Sequence, residues 1–366
     1  MSRQRFRETG FTVGSLPTGP ANGITDVPGV SVGHVTLIEE REGVSVRTGV
    51  TAILPHQGNP FRNKVAAASY VINGFGKTTG LVQVDELGVL ESPIMLTDTF
   101  GVPAATEGAL RYMMELDEGV GAEAGSINIV TGECNDKFLN DMRGLHVRPE
   151  HAVEAIREAK AAHDAGRPAA EGAVGAGTGM VCYGWKGGIG TSSRVVEAEG
   201  SVYHIGVLTL TNFGKQEDLT VLGQPIGRLL QEREAEGRND DGSVIIVIGT
   251  DLPLDARQLK RLAKRASFGL ANTGAIAHHG SGDIVIAFSN GNLVPHEPQS
   301  DFVPMRTVRE DGALISACFR AVVEAVEEAV YNSLFAGESM TGHQGRTVRG
   351  LPVKETAELL RSRLLL

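Results

Sequence analysis

A single-domain α/β fold, its sheets covered by helices on both faces, is what this sequence predicts. Three observations carry that expectation. Strand and helix patterns mix along the whole 366-residue chain instead of segregating into blocks. Several strand candidates are apolar at consecutive positions, as in Val244 to Ile248, which suits a sheet buried on both sides. No stretch rich in proline and serine divides the chain, so residues 1–366 are read as one domain.

The elements follow in order. The first hundred residues read as short strands joined by turns, at 29–40, 49–56, 64–74 and 91–101. A helix is expected from about Ala104, where Ala109, Leu110, Met113 and Met114 recur at helical spacing. Residues 126–136, "SINIVTGECND", read as a strand entering a polar turn. Pro149 opens a helix whose buried stripe is Val153, Ile156 and Ala159. The glycine-dense stretch 171–197 reads as a strand pair or a cleft wall. Its Gly175, Gly177 and Gly179 miss the GxGxxG spacing of a dinucleotide loop, and no clear βαβ unit surrounds them. A strong strand ends at Asn212, a helical stretch with a long polar portion follows at 222–237, and "NDDGSVIIVIGT" at 239–250 passes from turn residues into a buried strand. Leu259, Leu262, Ala263 and Ala266 mark an amphipathic helix whose other faces are basic. A strand at 282–289 and a long helix at 312–335 complete the reading.

Composition excludes several classes. A net charge of −10 argues against a nucleic-acid partner. The three cysteines, Cys134, Cys182 and Cys318, have no CxxC spacing, so neither a disulfide framework nor a cysteine zinc site is expected. The ten histidines are scattered, apart from adjacent His278 and His279, and no HExxH occurs; no metal and no cofactor is expected. The basic N-terminus lacks the apolar core of a secretory signal, and no apolar run approaches a membrane span. The reading is a cytoplasmic protein with no membrane partner. Glycine, at 47 residues and without period, points to tight turns and close backbone packing.

Polar groups at strand ends carry the chemistry. Ser243 follows Gly242 at the start of a strand, Asn212 ends another, and Ser281 and Asp283 precede a third. Together they supply a nucleophile, a side-chain amide, a second hydroxyl and a carboxylate, which are the parts of an acyl-transfer site. No GxSxG elbow is present.

The segments "LPTGPANGITDVPGVSVGHVTL", "GECNDKFLND", "TNFG", "DGSVIIVIGTDLPL", "LKRLAKRASFGL" and "GSGDIVIAFS" resemble the DmpA-type aminopeptidases, over nearly the whole chain and in the family's order. That family comprises L-aminopeptidase/D-amino-acid esterase-amidases and β-peptidyl aminopeptidases. The resemblance implies a layered αββα sandwich, similar to N-terminal-nucleophile hydrolases and to the ornithine acetyltransferases. It implies self-cleavage at Gly242-Ser243 into chains 1–242 and 243–366, with Ser243 then the nucleophile on small peptides, amides or esters bearing a free amino terminus. Asn212 matches the family's oxyanion-hole asparagine, and Ser281 and Asp283 match its supporting serine and acidic residue. The strained backbone that such a cut needs is expected at Gly242. Glu133, before Asp136, is the candidate to hold the substrate's ammonium. The family's tyrosine after "GECND" is replaced here by Phe138, which keeps the ring and loses the hydroxyl. A homo-oligomer, a tetramer of processed heterodimers, is the family's expected assembly. Two other readings stand beside this one: an acyltransferase like the ornithine acetyltransferases, and a non-catalytic small-molecule-binding member of the fold.

Overall fold

A computed structural model describes residues 4–41, 43–230 and 242–364. Two sheets form its centre. The first contains β1 (Ser31–Arg41), β2 (Val44–Leu54), β5 (Ile94–Asp98) and β6 (Val130–Cys134), in the order β1-β2-β5-β6. The second contains β3 (Asn63–Gly74), β4 (Val89–Leu90), β9 (Gly188–Ala198), β10 (Ser201–Asn212), β11 (Ser243–Thr250) and β12 (Gly282–Pro295), in the order β4-β3-β12-β11-β10-β9. Pairing is antiparallel except for β5 with β6 and β11 with β12. Two small ribbons, β7 (Val181–Cys182) with β8 (Trp185–Lys186) and β13 (Met340–Thr341) with β14 (Thr347–Val348), lie outside both sheets.

Helices close both outer faces. The smaller sheet is covered by α2 (Val102–Leu116) and α3 (Pro149–Asp164), the larger by α5 (Ala256–Asn272) and α6 (Ala313–Phe335). The chain is therefore a four-layer αββα sandwich. The period-two alternation of β11 shows why its run is apolar throughout: Val244, Ile246 and Ile248 pack under the helices, while Ile245 and Val247 pack between the sheets. Gly132 on β6 lets the sheets meet there; a Cβ on it would lie 3.3 Å from Ile245.

Local chemistry starts the helices as the sequence suggests. Pro149 is the first residue of α3. The Asp255 carboxylate accepts the Gln258 N–H at 2.7 Å and the Gln258 side chain accepts the Asp255 N–H at 3.2 Å, a reciprocal cap on α5. Of the helical stretch expected at 222–237, residues 222–225 instead form a turn closed by a Val221–Gln224 bridge, α4 (Ile226–Leu230) is present, and 231–237 fall outside the described residues, as do Asn239, Asp240 and Asp241. Two helices escape sequence periodicity. α1 (Leu81–Leu87) buries only Val84, and α7 (Val353–Leu364) buries only Thr356, Ala357 and Leu360, too few positions to make a stripe. Among the described residues, no helix is long and apolar enough to cross a membrane.

An ionic cluster ties α6 to β9 and to the N-terminal segment. Glu328 accepts from Arg194 Nη2 at 2.7 Å, from Arg7 Nε at 2.6 Å and from Asn22 Nδ2 at 2.6 Å. Arg194 also reaches Glu324 at 3.1 Å. Burial pushes the Glu328 carboxyl up, but the Arg7 bonds and the charges of Arg194 and Arg7 outweigh it and hold it below the usual range. A carboxylate with a depressed folded pKa stabilises the fold above its unfolded value, and that contribution fades as pH falls through the folded one. Glu328→Gln takes from Arg194 the nearer of its two charge partners and from Arg7 its bidentate one, so at pH 7 it is expected to lower stability by about 3 kcal/mol. Urea unfolding checks this. The deficit relative to wild type should shrink below about pH 4.5, the ordinary carboxylate range; a deficit independent of pH would mean that packing, not charge, was lost.

Candidate active site

The site forms where β10, β11 and β12 run side by side. Ser243 is the first residue of β11, Asn212 the last of β10, and Gly282 the first of β12. In register, Ser243 faces Asn212 on one side and Gly282 on the other. Residues 31 and 39 positions from Ser243 in sequence thus become its immediate neighbours through strand pairing alone.

The Ser243 hydroxyl donates to the carbonyl of Gly242, the residue before it, at 2.6 Å. The Gly282 N–H donates to the same oxygen at 3.2 Å. A hydroxyl set beside a carbonyl whose oxygen already holds an N–H donor can add to that carbonyl. The Gly282 amide was not anticipated from the sequence; only the parallel β11–β12 register brings it there. Space is tight at Gly242: a Cβ would lie 2.9 Å from Phe213 Cα and 3.0 Å from Phe213 Cβ.

Asn212 is buried and held at both ends of its amide. Its Oδ1 accepts the Val181 N–H at 2.9 Å, and its Nδ2 donates to the Asn135 carbonyl at 2.8 Å. An amide nitrogen carries two hydrogens, so one donor remains beyond the Asn135 bond. The turn that follows is locked by Tyr183. This residue takes φ +50°, gives its N–H to the Phe213 carbonyl at 2.7 Å and shares a 2.8 Å hydrogen bond with the Thr273 hydroxyl. A bulky side chain in left-handed backbone is strained and persists only where its surroundings hold it. Tyr183 is a second feature that sequence reasoning missed, because such strain has no signature in residue type.

The Ser281 hydroxyl donates to Asp283 Oδ1 at 2.5 Å. Both residues line a narrow cleft with Gly242, Phe213, Asp218 and His278. His278 Nε2 stands 3.6 Å from Asp218 Oδ2 across that cleft. Burial pushes the Asp283 carboxyl up to about 6, against the pull of the Ser281 hydroxyl, the Val244 amide and His278. Its Oδ2 is buried with no hydrogen-bond partner among the described residues.

Glu133 sits on the facing sheet, at the end of β6. Its carboxylate accepts the Lys77 N–H at 2.9 Å and the Thr99 hydroxyl. Gly76 lies between it and the start of β12: a Cβ there would be 3.3 Å from Gly282 Cα and 3.8 Å from Glu133 Oε1. Burial raises the Glu133 carboxyl. Asp136 is placed differently. It is fully buried, accepts from Asn140 Nδ2 at 3.0 Å, and is raised well above the usual range by burial and then by the neighbouring Asp98 carboxylate. Phe138 packs against the cluster of Leu139, Val181 and Val348, as Met340 does, with the Arg346 guanidinium 5.2 Å from its ring centre. The structure therefore gathers Gly242, Ser243, Asn212, Ser281, Asp283 and Glu133 around one strand end. It sets Asp136 in a dry acidic pair, and Phe138 in an apolar cluster that adjoins the site through Val181. Among the described residues, no group of three or more His, Cys, Asp or Glu is placed to hold a metal ion.

The raised Asp283 carboxyl has a measurable consequence. Between about pH 4 and 6 the folded chain holds a proton that the unfolded chain has released, so stability falls as pH rises through that window. Asp283→Asn keeps an acceptor for Ser281 and removes this penalty. Compared in a Ser243→Ala background, so that both proteins share one covalent state, it is expected to be more stable than its parent by about 2 kcal/mol at pH 7 and by much less at pH 4. Melting curves at the two pH values decide the matter; a parallel pH dependence in the two proteins would mean that Asp283 titrates normally.

The model of peptidase family S58 matches residues 22–348. The β-peptidyl aminopeptidase BapA of Sphingosinicella microcystinivorans is 39% identical over 376 residues, covering 98% of this chain and 92% of the relative. A crystal structure of a Pyrococcus horikoshii protein is similar with a TM-score of 0.92 at 45% identity, covering 98% of this chain and 99% of that one. The L-aminopeptidase D-Ala-esterase/amidase of Ochrobactrum anthropi, described as a prototype for the serine aminopeptidases and a variant of the Ntn hydrolase fold, superposes with a TM-score of 0.89 at 35% identity, covering 98% of each chain.

Proposed function

Because this chain belongs to peptidase family S58 and is a serine aminopeptidase/amidase of the Ntn hydrolase fold, we propose that it cuts itself between Gly242 and Ser243 and then uses Ser243 to release N-terminal residues from small peptides, amides or esters. The observation that carries this reading is the 2.6 Å contact from the Ser243 hydroxyl to the Gly242 carbonyl.

The first step is intramolecular. Ser243 Oγ adds to the Gly242 carbonyl carbon, the C–N bond breaks, and the hydroxyl proton ends on the departing nitrogen. Water then hydrolyses the ester. Chains 1–242 and 243–366 stay together because β10 and β11, now on different chains, remain paired over eight residues. In turnover the same Oγ adds to a substrate carbonyl, the amine leaves, and water hydrolyses the acyl-enzyme. Asn212 Nδ2 and the Gly282 N–H stabilise the oxyanion. Ser281 and Asp283 carry the proton to and from Ser243. Glu133 pairs with the substrate's free ammonium, which accounts for selection of N-termini. Asp136, its carboxyl raised by burial and by neighbouring Asp98, supports the turn that carries Asn135. Phe138 offers no hydroxyl, so proton traffic falls to the serine–aspartate pair. The particle is a cytoplasmic homo-oligomer, a tetramer of processed pairs. Neither the acyltransferase reading nor the purely binding one is favoured, since the relatives are aminopeptidases.

Intact mass and N-terminal sequencing test the cut. The wild-type protein should yield two chains, the smaller beginning Ser-Val-Ile-Ile, and Ser243→Ala should remain one. Cleavage of that variant at the same bond would remove Ser243 from the mechanism. Release of p-nitroaniline from free-amine anilides, but not from their N-acetyl forms, is expected of the processed protein.

Asn212→Ala is expected to lower kcat by at least about tenfold, because loss of an oxyanion donor costs on the order of 10²–10³. KM and melting temperature should change little. Normal turnover in a correctly processed variant would mean that other groups hold the oxyanion.

A further inference from the structure

Lys186 is a fully buried lysine. Its ammonium donates to three backbone carbonyls, Gly187 at 2.7 Å, Met180 at 2.9 Å and Gly177 at 3.1 Å. Burying an ammonium is costly, and a chain that retains one in its interior holds a strong local field there.

The Met180 carbonyl belongs to the same peptide group as the Val181 N–H. That peptide is trans, so its oxygen and its hydrogen point in opposite directions. The oxygen receives Lys186 Nζ at 2.9 Å and the Gly187 N–H at 3.1 Å. The hydrogen is given to Asn212 Oδ1 at 2.9 Å. A continuous line runs from the ammonium through one peptide into the side-chain amide of Asn212. Met180, Val181, Lys186 and Asn212 are all buried. Hydrogen bonds in series polarise one another, and more so where water is excluded. Drawing electron density toward the Met180 oxygen makes the Val181 N–H a stronger donor. That donor in turn draws density toward Asn212 Oδ1 and leaves the Nδ2 hydrogens more positive.

The β7–β8 ribbon exists to hold this line. Val181 and Lys186 are register partners in it, and the Lys186 N–H is fixed by the Arg349 carbonyl at 2.8 Å. Asn212 in turn is the register partner of Ser243.

We infer that Lys186 is a positioning residue for the reaction: through the Met180–Val181 peptide it orients and polarises the Asn212 amide that faces the nucleophile. The inference rests on the oxyanion role proposed for Asn212. It assigns a function to a lysine that touches neither substrate nor nucleophile.

A double-mutant cycle on the processed enzyme tests it. Lys186→Met keeps the length of the side chain and removes the charge. It is expected to lower kcat on a free-amine p-nitroanilide about tenfold with KM within about twofold, a part of what losing the donor itself costs. On an Asn212→Ala background the same change should lower kcat by less than about twofold, because the line then ends on nothing. Lys186→Arg, which keeps a charged donor, should recover part of the rate. Lys186→Gln, which keeps a donor without the charge, serves where the methionine variant does not accumulate as folded protein, and the same non-additivity is expected of it. A tenfold loss that persists in full on the Asn212→Ala background would show that Lys186 acts elsewhere, and an unchanged kcat in Lys186→Met would overturn the inference outright. Should Asn212→Ala itself turn over normally, the oxyanion reading fails first and this one with it; an impaired Asn212→Ala beside an unimpaired Lys186→Met removes this inference alone.

Discussion

The site depends on how β11 is held. Its ladder to β10 sets Ser243 against Asn212, and its parallel ladder to β12 sets Ser243 against Gly282. A slip of one residue in either ladder would turn Ser243 to the other face of the sheet and bring a different amide to the Gly242 carbonyl. Register therefore decides which groups meet at this strand end. The two cores protect it together, since β11 is packed under the helices through Val244, Ile246 and Ile248 and between the sheets through Ile245 and Val247. Such two-sided packing holds the strand by the fit of each side chain into its own core, which a slip would undo on both faces at once.

The same burial sets the electrostatics. Asp283, Glu133, Asp98 and Asp136 are all raised, with desolvation the largest cause in each case. Their partners then separate their roles. Asp283 has one oxygen bonded to Ser281 and the other unpartnered, at a pKa of about 6 that lets it exchange a proton near neutrality. Glu133 keeps two donors on its carboxylate, which favours its charge. Asp136 has Asp98 for a neighbour, which disfavours it. Three buried acids, all raised by desolvation, thus differ in the partners that work for or against their charge.

Close approach explains the glycine content better than flexible turns do. At Gly214, φ is +86° and a Cβ would lie 2.4 Å from the Tyr183 ring. Gly242 has no room for a side chain beside Phe213. In both places the missing side chain lets one segment press against another, and the segments so pressed are those flanking Asn212 and Ser243.

Much of this was legible in the chain itself. Strands apolar on both faces indicate sheets buried on both sides, which the residues alone read as helices on each face; that the inner cover of each sheet is the other sheet was implied by the family resemblance and is what the structure has. Hydroxyl, amide and carboxylate groups at strand ends marked the candidate site, since strand ends are where side chains meet across a sheet. The helices α1 and α7 were not legible, as a helix that buries one or three positions leaves no period to read. Nor were the Gly282 N–H, the left-handed Tyr183 or the line from Lys186 to Asn212. A backbone amide has no letter of its own, and a lysine reads as a surface residue until its neighbours are known. Residue types and their periodicity determined which layers form and which side chains have the right chemistry. Tertiary structure decided which backbone groups those side chains meet, because that depends on register between strands distant in sequence, and register is a property of the assembled sheets.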